Sequence, residues 1–154
     1  MAKVLIADDD AHIVRVLSMW LGRHGHRVVT AKNGEDALTM LDRESVDLII
    51  SDMNMPVLDG VGVVKAVRGK VGVTIPILVL TARCDQERLS EQLANYDVRV
   101  YPKPFLPSQL VVEINRLLGV AARAHHKFEP GAQSTGQGPT LALGVRITSE
   151  GSVL

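Results

Sequence analysis

Asp8, Asp9, Asp52, Thr81 and Lys103 are the residues of this 154-residue chain whose types and places could do chemistry together. Each ends or follows a short apolar run: KVLIA before Asp8-Asp9, VDLII before Ser51-Asp52, ILVL before Thr81, and VRVYP before Lys103. A single aspartate in such a place is ordinarily a solvated loop acid. Three brought to one point would repel and raise one another's pKa. A hard divalent cation relieves that repulsion, and carboxylate oxygens without His or Cys select Mg²⁺ or Mn²⁺ over zinc. Magnesium keeps several waters and accepts a phosphoryl oxygen, while a threonine hydroxyl and a lysine charge suit a phosphoryl group in transfer. The chemistry is phosphate handling, provided the fold gathers all five.

The elements that must do so alternate along the chain. Strands are expected at Lys3–Ala7, His26–Ala31, Val46–Ser51, Ile75–Leu80 and Val98–Tyr101. Between and after them, helical periodicity runs over Asp10–His24, Gly34–Arg43, Val61–Arg68, Cys84–Ala94 and Ser108–Leu118, the last continuing into the alanines beyond. Asp10 reads as the N-cap of the first helix, Gly25 as its stop, and Asn95 as a left-handed stop after the fourth. Five strands alternating with five helices predict a doubly wound three-layer α/β sandwich with a parallel sheet. With strand order 2-1-3-4-5, the topological switch point lies between strands 1 and 3, where ligands bind in such sheets. Those are the strands that lead into Asp8-Asp9 and Asp52.

Composition removes other classes. Lys plus Arg equal Asp plus Glu at 17 each, so no net charge draws the chain to nucleic acid or membrane. Aromatics make up 3%, too few for a base-stacking platform. Cys84 is the sole cysteine, so no intramolecular disulfide forms; at a helix start it reads as a small semi-buried residue. No apolar run reaches the roughly 20 residues of a membrane span, and the strand-like run from Lys3 leaves no room for a signal peptide. A cytoplasmic protein is expected. The paired histidines His24/His26 and His125/His126 lack the further ligands of a metal site, and Gly69-Lys70-Val71-Gly72 lacks the order of a P-loop.

As a set, Asp8-Asp9, Asp52-x-x-x-Pro56-x-x-Asp59-Gly60, Thr81-Ala82 and Lys103-Pro104-Phe105 resemble the response-regulator receiver domain of two-component signalling, the CheY-like superfamily. The resemblance covers about Lys3 to Gly119 and implies a flavodoxin-like (βα)5 fold. It implies that Asp52 is the phosphoacceptor, taking a phosphoryl group from a histidine kinase or phosphotransfer protein. Asp9, Asp52 and the backbone carbonyl of Asn54 would hold Mg²⁺ directly, and Asp8 mainly through a metal-bound water. Lys103, before a cis proline, would pair with the phosphoryl group, and Thr81 would move its hydroxyl onto it. The signal would be read on the helix 4–strand 5–helix 5 face, by a downstream protein, a missing C-terminal output domain or a phosphorylation-dependent homodimer. The chain would then be a signalling phosphoacceptor rather than an enzyme on external substrates.

The chain departs from that pattern at the output face. The position of the switch aromatic, three residues before the lysine, holds Val100, and Tyr101 follows it. One residue along a strand reverses the side-chain direction, which makes Tyr101 a core position. Pro102 fits only an edge strand. The domain is expected over 1–122, with a linker-like tail at 123–154 and a short strand at 140–148, where Leu141, Leu143, Val145 and Ile147 alternate. That tail belongs either to a stand-alone receiver, the preferred reading, or to the first strand of an output domain. Two rival functions remain. An aspartate-nucleophile phosphatase of haloacid-dehalogenase type would use Asp8-x-Asp10, and an unphosphorylated receiver-like binding module would leave the acids idle.

Overall fold

In the computed structural model, which describes residues 1–70 and 73–127, short strands and helices alternate from the first residues onward. The strands are β1 (Lys3–Ala7), β2 (Arg27–Ala31), β3 (Leu48–Asp52), β4 (Ile77–Ala82) and β5 (Arg99–Lys103). The helices are α1 (Ala11–Arg23), α2 (Gly34–Arg43), α3 (Gly60–Arg68), α4 (Gln86–Gln92) and α5 (Pro107–Lys127), with a 3-10 turn at Arg83–Asp85 before α4. The five strands form one parallel sheet in the order β2-β1-β3-β4-β5. This is the expected doubly wound sandwich.

Strand alternation splits the core in two. Leu5, Ile49 and Val79 point to the side of α2, α3 and α4, where Ala37, Val63, Val64, Leu89 and Leu93 cover them. Val4, Ile6, Leu48, Ile50, Leu78 and Leu80 point to the other side, against Leu17 and Leu21 of α1 and Leu110, Val111 and Ile114 of α5. Strands buried on both faces must be apolar at every position, which is why β1, β3 and β4 carry no amphipathic period. Each fully buried Leu or Ile contributes about 1.5–3 kcal/mol relative to exposure.

Caps set the helix starts. The Asp10 carboxylate accepts a hydrogen bond from the His12 N–H, Asn33 from Asp36 and Asp59 from Gly62, at 2.9, 2.7 and 2.9 Å. Pro107 opens α5, where a missing N–H costs nothing. Gly25, at φ +83, takes the left-handed conformation that ends α1.

Several boundaries differ by a residue or two from the sequence reading. β4 begins at Ile77, since Pro76 can accept from Ile49 (3.0 Å) but cannot donate. At its other end the strand continues to Ala82, with Thr81 paired to Pro102 and Ala82 to Lys103, so Lys103 is the last residue of β5 rather than the first after it. Asn95 is not left-handed: Val57 is the sole non-glycine residue with positive φ among the described residues. After α4 the chain closes instead with right-handed turns, Ala94 donating to Glu91 and Tyr96 to Leu93, which satisfy the final carbonyls without a left-handed residue. α5 runs to Lys127, on through the alanines as expected. The expected strand at 140–148 lies outside the described residues.

Candidate functional site

The carboxyl ends of β1 and β3 are held side by side, with Ala7 paired to Ser51. Asp8 follows β1 directly. Its own N–H donates to Ala31 of β2 at 3.0 Å, and its Oδ1 accepts from the Asp10 N–H at 2.9 Å. Asp52 closes β3, and the next N–H, that of Met53, donates to Leu80 of β4 at 2.8 Å. Gly60 lies against this strand end. A Cβ there would come within 2.7 Å of the Asp52 carbonyl oxygen, so only glycine lets α3 start so close to the acid.

The expected acid cluster forms. Carboxylate oxygens of Asp8, Asp9 and Asp52 lie within 4.8 Å of one another. Asp8 and Asp52 are buried and Asp9 is exposed. Lys103 reaches the same point from β5, with Nζ 2.6 Å from Asp52 Oδ1, and the Lys103–Pro104 peptide is cis. Thr81, on β4 between them, is buried, and its hydroxyl has no hydrogen-bond partner among the described residues. Asn54 is exposed two residues beyond Asp52 and lines the same cleft as Asp52 and Lys103.

Electrostatics mark Asp8 as the strained member. Burial, above all, pushes its pKa up to about 6; Asp52 and Asp9 raise it further, while the Asp10 N–H and Lys103 pull it down. Its Oδ2 is buried without a hydrogen-bond partner. A buried, unpaired carboxylate oxygen beside two further carboxylates, with no His or Cys in the set, is the donor chemistry that a hard divalent cation such as magnesium satisfies. The residues fit such an ion.

The output candidates separate by face. Val100 packs with the α3–α4 side of the core, paired with Val79, and Tyr101 with the α1–α5 side, paired with Leu80. Both are half-buried. Tyr101 is thus part of the second core, on the opposite side of β5 from Val100. The alternative Asp8-x-Asp10 pair does not assemble, since the Asp10 carboxylate caps α1.

Sequence reasoning missed the surroundings of the acids. Beside Asp52 and Lys103 a cleft of about 570 Å³ is walled by Ile13, Val16, Phe105 and Pro107, with His12 at its edge. Beside Asp8 and Asp9 a hollow of about 330 Å³ is shared with Arg15, Lys32 and Asp36. Helical spacing gave Ile13 and Val16 as core residues, and nothing in the sequence distinguished the part of α1 that stays uncovered.

Comparisons with known proteins agree with this geometry. The family described as "Response regulator receiver domain" matches residues 4–115. "Probable transcriptional regulator ycf27" of Cyanophora paradoxa is 40% identical over 117 residues, covering 75% of this chain and 48% of that protein. "Transcriptional regulatory protein CpxR" of Escherichia coli is 33% identical over 153 residues, covering 98% of this chain and 62% of CpxR. Among solved structures, chemotaxis response regulator CheY4 of Vibrio cholerae superposes with a TM-score of 0.70 at 39% identity, covering 76% of this chain and 98% of that one. The chain spans about half the length of ycf27. No helix among the described residues is long and apolar enough to cross a membrane. With the matched region reaching into every strand and spanning the whole acid cluster, the chain belongs to the response-regulator receiver domain family of two-component signalling.

Proposed function

We propose that this protein accepts a phosphoryl group on Asp52 from a phosphohistidine of a partner histidine kinase or phosphotransfer protein and thereby switches a partner-binding face. The observation that carries the reading is the 2.6 Å contact between Lys103 Nζ and Asp52 Oδ1 at the edge of a three-carboxylate cluster. A lone lysine–aspartate pair would be a structural ion pair. Here the same lysine faces one carboxylate among three, in a site that already lacks compensation for its charge.

Each side chain then has a task. Asp52 supplies the attacking oxygen at the end of a strand fixed on both sides. Lys103 pairs with that carboxylate and afterwards with a phosphoryl oxygen. Thr81 holds a hydroxyl with no competing partner, ready to donate to the new phosphoryl group. Asp8, Asp9, Asp52 and the Asn54 carbonyl would hold Mg²⁺, or Mn²⁺ in its place. Bound magnesium supplies charge that offsets the carboxylates and the phosphoryl oxygens. The acyl phosphate adds nearly two negative charges at one point. Movement of Thr81 toward it would pull on β4 and so on β5 and Val100. Tyr101, on the opposite side of β5, would respond through α5.

The protein turns over no external substrate and acts in the cytoplasm. Its output is a downstream protein, a phosphorylation-dependent homodimer, or a C-terminal output domain. The last is favoured by the CpxR alignment, which continues through the tail. Intact mass after incubation with acetyl phosphate tests the reading: one phosphoryl group is expected with magnesium and none after chelation. A wild-type protein that never gains that mass, or gains it equally without divalent cation, rules the reading out. Persistent turnover of a generic phosphate ester would favour the phosphatase alternative.

A further inference from the structure

We propose that Ser51 is a positioning residue for the magnesium site. Its hydroxyl, bonded to the main-chain carbonyl of Asp52, sets the peptide that leads from one metal donor, the Asp52 carboxylate, to another, the Asn54 carbonyl. The inference rests on the reading of those two groups as magnesium ligands and adds what holds them in register with each other.

Ser51 breaks the rule that Leu48, Ile49 and Ile50 obey. A strand covered on both faces is expected to be apolar throughout, and those three residues are apolar and buried. Ser51 is fully buried too, between Ala7 of β1 and Val79 of β4. Strand alternation turns it to the same side as Ile49, toward α2, α3 and α4. A hydroxyl in such surroundings is costly unless it is hydrogen-bonded. The bond it makes is to its neighbour: Oγ donates to the Asp52 carbonyl oxygen at 3.0 Å. The ladder between β1 and β3 ends at Ala7 and Ser51. The Asp52 carbonyl therefore lies one step beyond the last rung, and the hydroxyl takes the place of a further main-chain donor.

The place of that carbonyl gives the bond its role. From Asp52 to Asn54 the chain crosses two peptides, and hydrogen bonds hold both. In the first, Ser51 holds the Asp52 carbonyl while the Met53 N–H donates to Leu80 of β4 at 2.8 Å. In the second, the Met53 carbonyl accepts from the Gly60 N–H at 2.9 Å. Rotation about the Asp52 Cα–C bond would swing the Asn54 carbonyl relative to the Asp52 carboxylate, and these bonds oppose it. Those made by Met53 are main chain to main chain, available to any sequence. The one from Ser51 is a side-chain bond, and a substitution can remove it alone. Ser51 thus acts through the backbone, on how the donors are placed rather than on which donors there are.

The test titrates wild type, Ser51→Ala and Ser51→Thr with magnesium chloride by calorimetry, and measures the stability of each by chemical denaturation without magnesium. Ser51→Ala loses the donor and puts a methyl into apolar surroundings, so it should fold. Its magnesium affinity should drop about tenfold, the scale for groups that orient metal ligands. Ser51→Thr keeps the hydroxyl and adds a methyl to a packed strand, so it should lose stability by overpacking while holding the wild-type affinity. A serine that served stability alone would give affinities that follow stability. Unchanged affinity in Ser51→Ala, or a drop in Ser51→Thr as large as in Ser51→Ala, overturns the positioning role. Labelling by acetyl phosphate in the same samples keeps the two claims apart. A wild type that binds magnesium but is never labelled overturns phosphoacceptance alone, and one that binds no magnesium overturns both.

Discussion

β3 and β5 lie two places apart in the sheet and meet at the same site, yet they are held in different ways. Every residue of β3 is buried, with β1 on one side and β4 on the other. Among the described residues β5 is the edge strand, half-buried at best, paired on one side only and carrying Pro102. Asp52 is consequently over-determined: strand pairing, the Met53–Leu80 hydrogen bond and the close approach of Gly60 all place it. Lys103 and Tyr101 depend on the register of a single ladder with β4. The proposed acceptor sits on the strand held from both sides, and the groups that would sense it sit on the one held from a single side.

The largest effects should come from the rigid side. Asp52→Asn removes the attacking oxygen without changing shape, and labelling by acetyl phosphate should be lost altogether. Label that persists on that variant would place the acceptor elsewhere. Gly60→Ala forces a methyl against the Asp52 and Met53 backbone. Overpacking of this kind costs about 1–3 kcal/mol, measurable by chemical denaturation, and should weaken magnesium binding as the strand end moves. An unaltered magnesium affinity would show that the strand end yields without moving its acid.

The same contrast explains what could be read before any coordinates. Asp8, Asp9, Asp52, Thr81 and Lys103 were legible because buried parallel strands show as unbroken apolar runs, and polar residues at their ends must gather at one rim. Alternation and crossover handedness predict the doubly wound parallel sheet, and the order 2-1-3-4-5 taken with it is the one observed. Asn95 was not legible, since α4 ends through short right-handed turns that leave no distinctive residue type. The two hollows beside the acids were also hidden. The larger depends on how far α1 and the Pro104–Pro107 segment stand apart, and the smaller on how α1 stands from the end of β2 and the start of α2, distances no periodicity encodes. Val57 is a β-branched residue with φ +72, in a tight turn where the Leu58 N–H donates to the Pro56 carbonyl at 2.8 Å. Sequence preference argues against that conformation, and the surrounding loop imposes it.

Intermediate effects should come from the charge cluster and from the aromatic on the edge strand. Asp8→Asn removes a buried, incompletely paired carboxylate next to Asp52. The magnesium-free variant should melt at a higher temperature than wild type, and magnesium should raise its midpoint far less. A variant that melts lower without metal would mean that Asp8 is compensated in the fold. Tyr101→Ala should cost about 1–3 kcal/mol from lost burial against the α1–α5 core. Labelling of Asp52 by acetyl phosphate should continue, because Tyr101 packs below the site. Loss of labelling in that variant would erase the distinction between the strand that carries the chemistry and the strand that reads it.

The smallest effect belongs to the outer edge itself. Glu113 of α5 lies 3.1 Å from Arg99 at the start of β5 and 2.7 Å from Arg116 one turn along its own helix. The hydrogen bond from Arg116 above all holds its carboxyl below the ordinary range; burial opposes it, and the charges of Arg99 and Arg116 add smaller pulls downward. A carboxyl depressed in the folded state contributes stability above its unfolded pKa, and that contribution is lost as pH falls through the folded value. Wild type and Glu113→Gln should therefore differ slightly in unfolding midpoint at neutral pH and converge under acid conditions. High salt should shrink the neutral-pH difference as well, because both arginines facing Glu113 are exposed and open to screening. If the difference instead grew on acidification, the edge would be held by something other than this ion pair, and β5 would be anchored more like β3 than its burial suggests.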